Sequence, residues 1–452
     1  MSKDLNINDI CKICKGTLLC GDGNIIANKF SIDTRTLEEG SIYIAIKGES
    51  SDGNKYVNEA FTKGALACII DEDIDTKKYI NNTIIKVENG IKALQDLAIY
   101  KRNLYNIPVV AVTGSVGKTS TKDIIASVLS QKFDVLKTEG NFNNHIGLPL
   151  TLLNLKNHTA VVVEMGMNHQ GEISILSKIA RPTIAVITNV GSSHIGNLGS
   201  RENILKAKLE ILDGLQENGT LIINNDNDLL HNWNQSVNRN NICTYGIENT
   251  SDFVATNISE GNNFSSFIID NNKIKVHVAG RHFIYNALSA YCVGKILQIE
   301  DDKIIKGISK FELTSKRMEL KKTDTGMQVI ADYYNASYES MKMALEVLSK
   351  SNAETKIAVL GDMLELGNFS EELHKKVGTC VKDNNIDILI TVGKQAKYIA
   401  KQAKDLGLND IYMCSNNQEA VEILSKKATP KSSILLKASH GMHFEEIDQS
   451  IK

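Results

Sequence analysis

Residues 107–132, Ile-Pro-Val-Val-Ala-Val-Thr-Gly-Ser-Val-Gly-Lys-Thr-Ser-Thr-Lys-Asp-Ile-Ile-Ala-Ser-Val-Leu-Ser-Gln-Lys, constrain the fold more than any other stretch of the chain. An apolar run at 109–112 leads into a glycine-rich turn with Lys118 and Thr119 at its exit. Ile124, Ile125, Val128 and Leu129 then recur at helical spacing, so strand, loop and helix follow at the separation a phosphate-binding loop needs. N–H groups freed by Gly114 and Gly117, with Ser115 and Ser120 beside them, can converge on phosphate oxygens at a helix N-terminus. Lys118 can reach the outer phosphates, and the Thr119 hydroxyl can ligate magnesium. The chemistry implied is nucleoside triphosphate binding. Position 112, where the longer form of the pattern has a glycine, is valine here, so the loop is the short Gly-x-x-Gly-Lys-Thr form.

At 452 residues the chain exceeds what one core supports, and two to four domains are expected. A net charge of −2 gives no general attraction to nucleic acid or anionic membrane, so any anion site must be local. The first ten residues lack the apolar centre of a signal peptide, and no stretch approaches a membrane span, so a cytoplasmic protein is expected. Eight scattered cysteines include one metal-like pair, Cys11 and Cys14, without a second pair; buried small hydrophobes are the expected reading.

Residues 1–106 read as a small α/β unit, with short strands at 42–46, 67–70 and 83–87 alternating with helices near 55–63 and 91–102. Polar clusters at 31–35 and 47–54 interrupt it and fit surface turns. Residues 107–314 carry the phosphate loop and further buried strands at 159–163 and 183–187, with Glu164 and the run Thr188-Asn-Val-Gly-Ser-Ser-His194 at their carboxyl ends. In an open parallel sheet those ends gather beside the loop. Glu164 could hold magnesium there, and His194 could assist it or a phosphate. On the helix expected from 201 to 215, Lys208 shares a stripe with Ile204, Ile211 and Leu215, which places a cation on a buried face. Such an amine either covers the core edge or pairs with Glu164, or it loses its proton and reacts with carbon dioxide to form a carbamate. Residues 241–280 alternate as antiparallel hairpins, and the helix opening at Gly280 carries Asn286. From 315 the βα alternation resumes, with strands at 327–331, 356–360, 386–392, 410–413 and 433–436, a Rossmann-like parallel sheet. No Gly-x-Gly-x-x-Gly follows a strand, which argues against a dinucleotide dehydrogenase.

Six motifs in order carry a resemblance spanning essentially the whole chain. They are Thr113-Gly-Ser-Val-Gly-Lys-Thr-Ser-Thr-Lys122, Gly140-Asn-Phe-Asn-Asn-His-Ile-Gly-Leu-Pro-Leu150, Glu164-Met-Gly-Met167, the run ending in His194, Ala207-Lys-Leu-Glu-Ile211, and Leu360-Gly-Asp-Met-Leu-Glu-Leu-Gly367. Together they resemble the Mur ligases of peptidoglycan synthesis. The second and last are most similar to the member that joins D-alanyl-D-alanine to UDP-N-acetylmuramoyl-tripeptide. A sister ligase adding another amino acid or dipeptide, and a silent nucleotide-binding paralogue, are the neighbouring alternatives.

The resemblance implies three domains: 1–106 for the UDP-substrate, 107–314 for ATP, and 315–452 for the incoming dipeptide. It implies Thr34, Arg35 and the 48–53 loop with Gly48 at the UDP-sugar. Gly114, Ser115, Gly117, Lys118, Thr119, Ser120, Asn286, Arg317 and Asp332 would meet ATP. Thr119, Glu164, His194 and a carbamylated Lys208 would attend two magnesium ions, and Asn143, Asn144, Tyr334 and Asn335 would face the peptide substrates. Two segments depart from the family: Tyr334-Asn-Ala-Ser-Tyr338 replaces Tyr-Asn-Ala-Asn-Pro, and Lys437-Ala-Ser-His440 replaces Lys-Gly-Ser-Arg, putting Ser439 and His440 among the expected dipeptide contacts. The chain is expected to act as a cytoplasmic monomer on small molecules, with hinge motion near 105–109 and 312–318.

Overall fold

The computed structural model describes residues 5–48 and 51–451. Its centre is a seven-stranded, wholly parallel sheet in the order Phe253–Val254, Ile242–Gly246, Thr220–Asn224, Ile184–Ile187, Val109–Thr113, Ala160–Glu164, Val135–Lys137. The inner strands are runs of Val, Ile and Ala, buried on both faces as a helix-covered parallel sheet requires. From Val109–Thr113 the chain crosses first toward one edge and later toward the other, so this strand is the topological switch point and its carboxyl end opens into a crevice. The helix Lys118–Leu129 that follows is buried on nearly every face, packed between the sheet and the helices Arg281–Ile296 and Asp301–Ser309.

Upstream lies a five-stranded sheet in the order Thr17–Cys20, Thr83–Lys86, Ala67–Ile70, Ile42–Ile44, Phe30–Ser31, parallel except at its Thr17–Cys20 edge. Downstream is a six-stranded sheet in the order Glu319–Lys322, Gln328–Ala331, Ser432–Lys437, Thr355–Gly361, Ile388–Val392, Ile411–Cys414. Its five expected strands are parallel, and Glu319–Lys322 adds an antiparallel edge that the short polar run Glu-Leu-Lys-Lys did not announce.

Residues 241–280 differ from expectation. Only Thr256–Glu260, Ser265–Ile269 and Asn272–Val276 form antiparallel pairs. Ile242–Gly246 and Phe253–Val254 extend the central parallel sheet instead. Period-two patterning shows which face of a strand is buried but not which strand it pairs with, and two short neighbours read as a hairpin. The helix Arg201–Leu209 also ends earlier than expected, tightening into a 3-10 turn at Glu210–Asp213. All eight cysteines are free, six of them buried. Among the described residues no helix is long and apolar enough to cross a membrane.

Arg102 joins the first unit to the second. At the end of helix Gly90–Asn103 it donates to the carbonyls of Ala180 at 2.8 Å, Tyr105 at 2.7 Å and Arg181 at 3.1 Å. Burial, with Arg181 nearby, pulls its guanidinium down to about 10. Arg102→Met keeps the apolar stem and removes three donors, among them the one that reaches the carbonyl of buried Ala180. Urea denaturation should show a loss of about 3 kcal/mol.

Candidate active site

Gly114 lies where two neighbouring parallel strands end. Its φ is 154°, and a methyl there would stand 1.9 Å from Thr188 Oγ1. That close approach lets the run after Ile184–Ile187 clamp the loop. Ser115 N donates to the Asn189 carbonyl at 3.0 Å and Val116 N to Asn189 Oδ1 at 3.0 Å. Thr188 Oγ1 and Asn189 Nδ2 donate in return to the Val116 carbonyl, at 2.7 and 2.9 Å. Gly117, at φ 82°, then turns the chain into the helix, whose first N–H groups, from Lys118, Thr119 and Ser120, have no intrahelical acceptor. The loop is thus rigid through its first half and offers donors through its second.

Lys118 bends back to donate to the Gly114 carbonyl at 2.9 Å. Burial lowers its ammonium pKa, Glu164 works against that, and Arg317 reinforces it. Glu164, at the end of Ala160–Glu164, is itself buried and accepts from Thr119 Oγ1 at 2.8 Å and Asn143 Nδ2 at 2.7 Å. These groups line a cleft of about 370 Å³ closed on its far side by the C-terminal unit. Ser115, Gly117, Ser120, Asn144, His194, Asn286, Arg317, Asp332, Tyr334 and Asn335 share it, so most of the expected nucleotide and peptide contacts come together in one place. Two donors there, Asn286 Nδ2 and Arg317 Nε, are buried without a partner. The Arg317 guanidinium sits 4.0 Å from the Tyr334 ring centroid.

Asp332 is anchored by Lys437, a residue that sequence reasoning quoted without a role. The Lys437 ammonium is 1% exposed and donates to Asp332 Oδ2 at 2.6 Å and to the Asp332 and Asn335 carbonyls at 3.2 Å. His194 has a left-handed backbone at φ 62°, and its Nδ1 lies 2.6 Å from Glu365 Oε2, which holds the Glu365 carboxyl below the usual range.

Other expected contacts lie apart from this cleft. Lys208 is 1% exposed and is not among the cleft's lining residues. It does not ride the core edge, and among the described residues no ion pair links it to Glu164. Burial, reinforced by Lys118, holds its ammonium well below 10.5. Ser439 is buried, donating its N–H to the Asp362 carbonyl and accepting from Leu364 N with its hydroxyl, while His440 is exposed with its ring 6.0 Å from that of Tyr334. Arg35 is turned onto Asp33 at 2.6 Å, and Thr34 is buried with its carbonyl accepting from Lys63. Gly48 N donates to the Ser51 carbonyl, and residues 49 and 50 of that loop lie outside the described residues. A second, larger cleft of about 1150 Å³ runs between Ser31, Asp33 and Thr36 of the first unit and residues 123–158 of the second. Asn141 and Asn144 line both clefts, so the 140–147 loop is their shared wall.

Among the described residues no group of three His, Cys, Asp or Glu side chains could hold a metal by itself. The Thr119 hydroxyl and the Glu164 carboxylate, hydrogen-bonded at 2.8 Å, are an oxygen pair suited to magnesium, which takes few protein ligands and completes its shell from phosphates and water.

A phosphate loop at the switch point of a parallel sheet, facing a second α/β unit across a polar cleft, defines a nucleotide-dependent enzyme whose reactants meet between units. Three family descriptions match the chain: Mur ligase family, catalytic domain, over residues 28–102; Mur ligase middle domain over 112–294; and Mur ligase, glutamate ligase domain, over 316–440. The UDP-N-acetylmuramoyl-tripeptide–D-alanyl-D-alanine ligase of Bacillus subtilis (strain 168) is 39% identical, covering 98% of this chain and 97% of its own. A crystal structure of MurF from Acinetobacter baumannii superposes with a TM-score of 0.91 at 28% identity, covering 99% and 98% of the two chains. MurF ligase from Thermotoga maritima in complex with ADP gives 0.82 at 28% identity, covering 93% and 96%. The chain belongs to the Mur ligase family.

The two depressed lysines make stability depend on pH in a fixed direction. Between the lowered Lys208 value and 10.5 the unfolded chain binds a proton that the folded chain does not, so folding stability rises with pH across that window. Lys208→Met has no such proton to lose. In buffer free of carbon dioxide the variant should be more stable than the wild type at pH 7, with the gap narrowing toward pH 10.5 in denaturant titrations.

Proposed function

We propose that this protein is an ATP-dependent ligase that adds D-alanyl-D-alanine to UDP-N-acetylmuramoyl-tripeptide, forming a peptidoglycan precursor in the cytoplasm as a monomer. The observation that carries the reading is the partly desolvated Lys118 beside the Thr119–Glu164 pair, in a cleft that shares the 140–147 loop with a second cleft of about 1150 Å³. The Bacillus subtilis relative, matched along nearly its whole length, bears the name of that activity. We divide the chain into residues 1–106 for the UDP-substrate, 107–314 for ATP and 315–452 for the dipeptide.

A carboxylate is a poor electrophile, so amide formation needs an activated acyl group. The tripeptide's terminal carboxylate oxygen attacks the γ-phosphorus; the new O–P bond forms as the β,γ-bridging P–O bond breaks and ADP leaves. Lys118 and the helix N–H groups hold the phosphoryl oxygens, and the unpaired donors of Asn286 and Arg317 meet the nucleotide. Magnesium, when bound, neutralises charge on the transferring group; Thr119, Glu164 and His194, with Lys208 as its carbamate, would hold two such ions. The dipeptide amine then attacks the acyl carbon, the C–N bond forms, the C–O bond to phosphate breaks, and one proton passes to solvent. Tyr334 and Asn335 orient the dipeptide and Asn143 the acyl group. Docking of the C-terminal unit excludes water that would hydrolyse the acyl phosphate.

Phosphate release measured with ATP, tripeptide precursor and a panel of amino acids and dipeptides tests this reading. Release should require the precursor and be greatest with D-alanyl-D-alanine; release that needs a different acceptor would reassign the substrate. Lys118→Ala should lose at least about a thousandfold in turnover, the cost of removing a charge from a phosphoryl-transfer site, while still binding the UDP-precursor.

Lys208 provides a separate check. Lys208→Ala should be nearly inactive, and short carboxylic acids in the medium should partly restore it by returning the missing oxygens. An alanine variant as active as the wild type would remove the carbamate from the mechanism.

A further inference from the structure

The loop after strand Ile184–Ile187 is gripped by the Glu339 carboxylate and the Glu365 backbone of the C-terminal unit, and the reaction described above uses neither. Glu339, in the first turn of helix Tyr338–Ser349, accepts from Ser192 N at 2.8 Å and from Ser192 Oγ at 2.9 Å. Ser192 is buried. On one side of it Gly191 N donates to Ser115 Oγ at 2.9 Å, and on the other Ser193 Oγ donates to the Ser115 carbonyl at 3.2 Å. One residue therefore separates the Glu339 carboxylate from the phosphate loop. Gly191 makes the approach possible: a methyl there would lie 2.5 Å from Glu339 Cδ, and its backbone is outside the left-handed region, so only the neighbouring carboxylate requires glycine.

The charged groups nearby leave the carboxylate to these donors. Arg201, the cation whose field reaches Glu339, is committed to Asp228 at 2.6 and 2.8 Å and to the Val190 carbonyl at 2.8 Å. A second grip lies a turn away, where Gly196 N donates to the Glu365 carbonyl at 3.1 Å. Glu339 belongs to the same continuous segment as Asp332, Tyr334 and Asn335, so whatever fixes it against Ser192 fixes their register against Lys118.

We propose that Glu339 is a positioning residue that latches the C-terminal unit onto the phosphate loop through Ser192 and Gly191. Docking of that unit and alignment of Ser115 are then set by one contact. The inference rests on the ligase reading for its kinetic consequence and on geometry alone for its conformational one.

The test uses the full-length enzyme with Glu339→Ala, Glu339→Gln, Gly191→Ala and the Gly191→Ala/Glu339→Ala double variant, each checked for an intact thermal transition. Glu339→Ala should lower kcat by about ten- to a hundredfold, as loss of two charge-assisted hydrogen bonds at an aligning contact predicts, with the Kd for the UDP-precursor within about threefold of wild type. Small-angle scattering with a non-hydrolysable ATP analogue should show a larger radius of gyration than for the wild type. Glu339→Gln keeps one acceptor and should fall between. Gly191→Ala should reproduce the defect, and the double variant should be no worse than Glu339→Ala, because the methyl then has no carboxylate to displace. Wild-type kcat and compactness in Glu339→Ala, or multiplicative losses in the double variant, would overturn the latch. An inactive wild type would overturn the ligase reading instead, and the scattering comparison would still decide the latch.

Discussion

The Lys118 ammonium points into a partly desolvated cleft, and the site is built around the cost of holding it there. Lys118 is half-buried and Lys208, outside the cleft lining, is fully buried, and each feels a further positive charge: Arg317 for Lys118, and Lys118 for Lys208. Glu164 is the carboxylate whose field offsets Lys118, and its oxygens are already shared between Thr119 and Asn143. Of the other carboxylates lining the cleft, Asp332 is claimed by Lys437 and Glu172 accepts from Asn168 N. Burying charge without a partner is expensive, and the Lys118 ammonium, bonded to the Gly114 carbonyl, has no ion-pair partner among the described residues in a cleft of triphosphate size. A polyphosphate supplies the missing anion, which explains why the loop is held rigid by Asn189 and Thr188 rather than by any group that would compete for the lysine.

Much of this was legible because parallel sheets obey strong rules. Strand, glycine turn and helix fixed the switch point, and the carboxyl-end rule then placed Glu164 and His194 beside it. Helical spacing put Lys208 on the stripe of Ile204 and Ile211 but left open whether it covered the core edge, and the structure buries it. What was not legible is how polar residues at strand ends divide between ligand and backbone. Asn189 and Thr188 serve the phosphate loop itself. Asp362, in a segment that helped carry the family resemblance, accepts from the backbone N–H groups of Lys394, Gln395 and Ala396 and so caps the turn before helix Lys397–Asp405. Arg35 closes on Asp33 two residues away. Such local bonds depend on backbone direction, which residue type and spacing do not encode.

The two departures from the family pattern also resolve into local physics. Ser337 caps the helix Tyr338–Ser349, accepting from Ser340 N while the Ser340 hydroxyl answers its own N–H. Tyr338 follows as the first helical residue, so the altered letters preserve a helix start whose second residue is Glu339. Ala438 is fully buried against Gly361, where a second methyl would come within 2.7 Å, so the extra carbon relative to glycine is accommodated by the facing glycine.

The linker between the central and C-terminal units shows what such docking must overcome. Lys316 and Met318 both hold left-handed backbones, at φ 63° and 52°, on either side of Arg317. Each conformation costs an L-residue about 1–2 kcal/mol. Three hydrogen bonds maintain them: Lys316 N to Glu319 Oε2 at 3.0 Å, Met318 N to Asp332 Oδ1 at 3.2 Å, and Tyr334 N to the Lys316 carbonyl at 3.2 Å. Upstream, Thr314 Oγ1 donates at 2.8 Å to Asp123 on the phosphate-loop helix, so the linker is tied at one end to the loop and at the other to Asp332. The strain has a visible result, which is to turn the Arg317 side chain into the cleft with its Nε unpartnered. A relaxed linker would direct that side chain elsewhere. The energy that keeps it aimed has to come from contacts between the units, and the grip on residues 191–196 lies where it can supply that energy beside the phosphate loop.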